Sequence, residues 1–367
     1  MIIKPLNVLA LACGASFGSL KDSFIKTDGI DVYETYRAQE TPLPDFLRVK
    51  IGLVYSKNLN NPDDKVLIDT VESDITDVMI ERLSEIIPSL DQKPDLIAIE
   101  GPTIAHDIET KYTYQLCKGR KIFEAFGIPT VSHFHNADIL NGGQGNPIEA
   151  TYYEALAAQM PKPALFIHIG TVSSLTYIGA LGEMLSFDCG AGVQMLNDFM
   201  KKHAAVAMDY NGKCAACGQA NFKIVQNLMQ QKFFAKTPPK SMPHNLFKDK
   251  EEHFEGLSVE GGAATITEFI AEGIYQAVNT FLPPKPVAVV FCGGGSKNPT
   301  LVRLIKQKLR QIDISADNFL VSCVPNDASA IAFLAARRYY NLPITFPQTT
   351  GVVAPMIGGK IYDKDQI

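Results

Sequence analysis

Residues 185–198 read LSFDCGAGVQMLND. Residues 184–187 are expected to finish a strand, with Asp188 at its carboxyl end and Gly190 and Gly192 bending the backbone sharply behind it. Val193, Leu196, Met200 and Ala204 then fall on one face of a helix. A carboxylate at a strand end, followed by a glycine-rich turn into a helix, can act as a general base beside backbone N–H groups. It can equally cap the helix or bond the turn amides. The stretch alone leaves both readings open.

Working outward, residues 164–169 and 174–178 read as strands that precede this one. The first third of the chain has a similar series. Strands are expected over 6–12, 23–31 and 49–55, then an amphipathic helix over 66–87 carrying Val71, Ile75, Val78, Met79, Leu83 and Ile86. Strands at 95–100 and 131–134 flank a helix at 115–126. After residue 193, helices are expected at 193–205, 219–231, 263–281, from 300, and at 328–340, with strands at 286–291 and 319–323. Three antiparallel strands followed by alternating helices and strands, twice over, predict a duplicated α/β architecture of two lobes with a central cleft. The first lobe is placed at 1–130 plus about 345–367, and the second at 131–344. No repeat of 20–50 residues is visible in the letters themselves.

Composition narrows the class. The 367 residues are 46% hydrophobic and 20% charged, with a net charge of −5, which gives no electrostatic reason to expect nucleic acid or an anionic membrane as partner. No apolar run reaches the roughly 18–20 residues that span a bilayer. Residues 2–13 faintly resemble a lipoprotein signal, but one lysine and a short apolar run fit a first buried strand better, and a cytoplasmic location is expected. Seven cysteines, an odd number, read as reduced thiols; Cys214 and Cys217 form a lone CxxC without a second pair at zinc spacing.

Residues 290–302, VFCGGGSKNPTLV, put three glycines after a buried strand and start a helix at Asn298-Pro299. Such a turn lets backbone lie flush against an anionic ligand, or is simply tight. Taken with the other motifs, the chain resembles the anhydro-N-acetylmuramic acid kinases, sugar kinases of the actin/hexokinase/Hsp70-like (ribonuclease H-like) fold. Asp138 with residues 142–148, GGQGNPI, resembles the family's D-x3-GGQGAPL; residues 187–192, FDCGAG, its FDTGPG; and 238–241, PPKS, its PPKS. Residues 264–268, ATITE, and 292–299, CGGGSKNP, are similar to its ATLTE and CGGGxxNP.

The resemblance implies hydrolysis of a 1,6-anhydro bridge coupled to ATP- and Mg²⁺-dependent phosphorylation of the released O6. It makes Asp188 the base that deprotonates the attacking water. It implies nucleotide contacts at Gly14, Ser16, Gly170, Gly190, Gly192, Gly293, Gly294, Gly295 and Asn298, and sugar contacts at Thr103, Asp138, Gln144 and Gly145. The partners implied are an amino sugar and a nucleotide, with a homodimer as the open option for assembly.

Several positions depart from the family pattern. Gly18 and Lys21 stand where its first phosphate loop carries Asp, Thr171 replaces a glycine of the second, and Ser329 replaces a Glu. Glu100 stands for the His of its SHGQT, and His133 and His135 for the Asp and Arg of its DFR. Two alternatives follow. One is a pseudokinase that binds sugar, nucleotide or protein without transfer. The other is a metal-dependent activity using His106, His133, His135 and His168, the His-x-His pair sharing one strand face. No metal ligand is assigned.

Overall fold

The computed structural model describes residues 3–13, 18–55, 57, 61–243, 246–247, 251–320, 324 and 326–364. These form two compact units. The first comprises 1–156, 324–347 and 351–367; the second comprises 157–323 and 348–350.

The first unit opens with an antiparallel meander, β1 (Leu6–Cys13), β2 (Ser19–Thr27) and β3 (Val32–Pro42). Helices α1 (Asp45–Val54) and α2 (Pro62–Ile86) lead to β4 (Leu96–Glu100), which lies parallel to β1. A hairpin, β5 (Thr103–Asp107) and β6 (Tyr112–Gln115), and helix α3 (Gly119–Phe126) precede β7 (Thr130–Ser132), parallel to β4. Short helices α4 (Asn136–Leu140) and α5 (Ala150–Ala157) follow.

The second unit repeats the plan. Strands β8 (Ala164–Ile169), β9 (Val172–Ile178) and β10 (Met184–Ala191) form the meander. Helices α6 (Val193–Ala204), α7 (Lys213–Cys217), α8 (Phe222–Met229), α9 (Lys232–Ala235) and α10 (Val259–Phe281) lead to β11 (Ala288–Cys292), parallel to β8. Helix α11 (Pro299–Arg310) comes next, and Phe319 makes a parallel bridge to Val289, the place β7 takes beside β4. The chain then returns to the first unit through α12 (Asp327–Tyr339) and β12 (Lys360–Tyr362), which pairs with β7. The sheets run β12-β7-β4-β1-β2-β3 and β10-β9-β8-β11. Shared strand order, not shared letters, carries the duplication.

Alternation along β1 sends Leu9 and Leu11 to one face, where they join Leu47, Ile51, Ile68, Val71 and Ile75 of α1 and α2. On the opposite face α12 packs against β1, β2 and β4, and every residue from Ala328 to Ala336 is buried. Its alanines and Ser329 let the helix lie close to the sheet. In the second unit, Leu165, Ile167 and Phe187 meet Ile266, Phe269, Ile270 and Ile274 of α10.

Two expectations are revised. Residues 49–55 are not the third strand: Leu47, Ile51 and Val54 are buried at helical spacing in α1, and the third strand is the polar edge β3. The first unit also extends past residue 130, to 156, and takes back 324–347, because β7 and α12 belong to its sheet. Of the strand expected at 319–323, residues 321–323 lie outside the described residues. Among the described residues no helix is long and apolar enough to cross a membrane.

Candidate active site

Asp188 lies within β10 rather than at its end. It pairs with Ser174 of β9, and the register shifts between Asp188 and Gly190 before the strand resumes through Ala191. Gly190, at φ +153°, makes the bulge and packs its Cα side against Phe234 and Gly273, so this glycine serves strand–helix packing. Asp188 is 6% exposed. β10 is an edge strand, and its open edge is taken by residues 240–242. The Asp188 N–H donates to the Lys240 carbonyl at 2.8 Å. The Met242 N–H and the Ser241 hydroxyl both donate to Asp188 Oδ2, at 2.8 and 3.1 Å.

Lys240 itself is buried. Its ammonium donates to the carbonyls of Phe233 and Phe234 at 3.1 and 3.2 Å, and lies 4.4 and 4.8 Å from the ring centres of Phe281 and Phe233. Burial pushes its pKa down to about 8, with Lys236 adding to the effect.

β8, β10 and β11 run in one direction, so the turns that follow them share one edge of the sheet. The N–H of Gly192 donates to the Thr171 carbonyl, and that of Val193 to the Gly170 carbonyl. A Cβ at Gly192 would overlap the Gly170 carbonyl oxygen. Gly293, at φ +77°, would set a Cβ 2.6 Å from both the His168 ring and the Ile169 carbonyl oxygen. Gly295 is equally enclosed by Ile169 and Val193, while a Cβ on Gly294 would meet nothing within 4 Å. Three turns thus interlock through backbone, and Gly294 forms their open surface. Asn298 is a helix cap: its side chain accepts from the Leu301 N–H at 3.1 Å. Gly14 and Ser16 lie outside the described residues.

The residues expected to contact the sugar belong to the first unit. Asp138, fully buried on α4, accepts from the Gly145 N–H through Oδ1 at 2.7 Å, and Gly143 packs on the same carboxylate. The Gln144 carbonyl takes His106 Nε2 at 3.0 Å. The Gly145 carbonyl accepts from His135 Nδ1 at 2.7 Å, and Glu100, at the carboxyl end of β4, accepts from His135 Nε2 at 2.9 Å. Two acceptors facing both ring nitrogens make this histidine an imidazolium. Burial works against that charge, but Glu100 and the Gly145 carbonyl overcome it and raise His135 to about 9. Asp138, Gln144, Gly145, Glu100, His106 and His135 therefore form one network around the 142–145 turn. Thr103 meets it through the hairpin, accepting from Gln115 Nε2 at 3.4 Å.

His133 and His135 do not share a strand face. β7 ends at Ser132, and His133 adopts φ +59° with its ring on the Ser132 hydroxyl at 2.6 Å. Among the described residues no group of three or more His, Cys, Asp or Glu is placed to hold a metal ion. At the start of β2, Lys21 ion-pairs with Asp327, and Ser23 shares a 2.7 Å hydrogen bond with Ser329. Next to them Asp22 binds Arg37 and Arg82.

The family model described as anhydro-N-acetylmuramic acid kinase matches residues 7–364. The chain belongs to that family. An anhydro-N-acetylmuramic acid kinase of Acidiphilium cryptum is 31% identical over 363 residues, covering 97% of this chain and 98% of that one. One from Rhodopseudomonas palustris (strain BisB18) is 32% identical over 365 residues, covering 97% and 99%. Among solved structures, component A of the (R)-2-hydroxyglutaryl-CoA dehydratase of Acidaminococcus fermentans aligns over 91% of this chain and 99% of that one, at 12% identity and a TM-score of 0.46, a likeness too slight to reason from.

Four of the positions that depart from the family pattern fall into two sets. Lys21 and Ser329 engage each other's neighbours on β2 and α12. Glu100 and His135 engage each other directly. The contacts that sequence reasoning missed are those of Ser241 and Met242 with the Asp188 carboxylate, of Lys240 with the Asp188 backbone, and of Glu100 with His135. The one signal for the first group was the PPKS motif in an otherwise featureless polar connection.

Proposed function

We propose that this chain opens the 1,6-anhydro bridge of 1,6-anhydro-N-acetylmuramic acid and phosphorylates O6. Asp188 takes a proton from a water molecule, whose oxygen bonds to the anomeric carbon. The bond from that carbon to O6 breaks, and O6 bonds to the γ-phosphorus of ATP as the bond to the ADP oxygen breaks. ATP, when bound, supplies the phosphoryl group. The interlocked turns at Gly170, Gly192 and Gly293–Gly295 would receive its phosphates over Gly294, the one of these glycines whose Cβ side is open. Mg²⁺ fits less well: Gly18 brings no ligand and Asp327 is neutralised by Lys21. The roles given to Asp188 and the backbone include no step through the cation.

The observation that carries this reading is a buried carboxylate held by two donors, on a strand residue whose own N–H is also tied and whose next turn is glycine-lined. The test is coupled ADP release with 1,6-anhydro-N-acetylmuramic acid, comparing wild type with Asp188→Asn. A loss of about 10³-fold in kcat supports the base, in the range general-base removal produces; equal rates overturn it. Saturable ATP binding without ADP release would select binding without transfer, which the Lys21–Asp327 pair favours.

A further inference from the structure

Residues 240–242 sit 52 to 54 positions from Asp188 in sequence, yet three of the hydrogen bonds at that residue involve them. The two donors meet on a single oxygen, Oδ2, one a backbone N–H and the other a hydroxyl. A carboxylate that accepts from two donors is favoured in its ionised form, and its plane is fixed. Backbone pairing of Asp188 with Lys240 sets the height of the segment along β10. The Lys240 side chain then turns the other way, into the rings of Phe187, Phe233 and Phe281, and ties the segment to the carbonyl end of α9. Those carbonyls close a short helix, where an ammonium is a donor that suits them, and the Phe233 carbonyl accepts from the Lys236 N–H as well.

We propose that Ser241 is a positioning residue for the Asp188 carboxylate, holding it ionised and in plane, and that Lys240 is the anchor that keeps Ser241 in place. This rests on the reading of Asp188 as the base, but the carboxylate's own titration tests it without turnover. The anchor uses the stem and ammonium together, so its loss reaches Asp188 through Ser241 and Met242 as well as through the ammonium's own charge.

The experiment follows the Asp188 carboxyl carbon by NMR in carbon-13-labelled full-length protein across pH, its resonance identified with Asp188→Asn. Ser241→Ala should raise the titration midpoint by about 0.5–1 pH unit, because a donor to the charged form is gone, and Ser241→Thr should restore it. A midpoint unmoved or lowered in Ser241→Ala overturns the proposal. Should that variant not fold, amide exchange of Met242 serves instead. Asp188→Ala should speed it about tenfold, and unchanged exchange overturns the proposal. In turnover, Ser241→Ala should lower kcat about tenfold with the sugar KM within twofold, and the acid limb of the kcat profile should move up with the midpoint. A titration that moves as stated in a protein releasing no ADP would sink the proposed reaction and leave the positioning role standing.

Discussion

Gly294 separates what the glycine-rich turn needs for folding from what it offers a ligand. Gly192 and Gly293 leave no room for a Cβ, whereas Gly294 faces open space. We expect Gly294→Ala to melt within about 1–2 °C of wild type, as surface changes do. Nucleotide affinity should fall about tenfold by calorimetry, and Gly192→Ala should lose several kcal/mol of stability through the backbone overlap. The Glu100–His135 pair makes a second prediction at this scale. His135 is raised from 6.5 to about 9, so the stability it contributes is fully present below 6.5 and is lost as pH climbs through 9. Wild type should exceed Glu100→Gln by on the order of 2 kcal/mol in urea melts near pH 6, with the gap closing by about pH 10. Asp188 could be picked out from its letters because a lone carboxylate before two glycines is unusual. Glu100 could not, since its partner is 35 residues away and nothing periodic links them.

Elements were legible where period and burial agree. α2 and α10 announce themselves by long apolar stripes, and β8 and β11 by short apolar runs between turns. α1 misled because Val49 and Leu53, both exposed, alternate with buried Ile51 and so imitate a strand. β3 was missed for the opposite reason: an edge strand facing water is polar at most positions. β10 is also an edge strand, and the 240–242 segment covers it. Its buried lysine supplies the prediction for this scale. A folded-state pKa of about 8 against 10.5 unfolded means the unfolded chain binds more protons between those values, so stability contributed by Lys240 rises with pH across that window. Wild type should gain on Lys240→Met by on the order of 2 kcal/mol between about pH 8 and 10.5 in denaturant melts. A constant difference would contradict it.

At the scale of the molecule, the duplicated order of strands was legible as a succession of strands and helices, but the division between units was not. Residues 131–156 look like any other α/β stretch; they join the first unit because β7 hydrogen-bonds to β4, a fact of tertiary pairing. The same is true of 327–339, an alanine-rich helix whose sequence does not say which sheet it covers. Its burial against β1, β2 and β4 predicts the outcome of truncation. A chain ending at residue 323 should lose protease protection across residues 1–156, because the sheet face under α12 is bared, while fragments from 157–323 persist; uniform survival of both would count against this division. That geometry also bears on synthesis. The first strands to leave the ribosome must wait for α12 and β12, made some three hundred residues later, so the middle of the chain can mature before its beginning does.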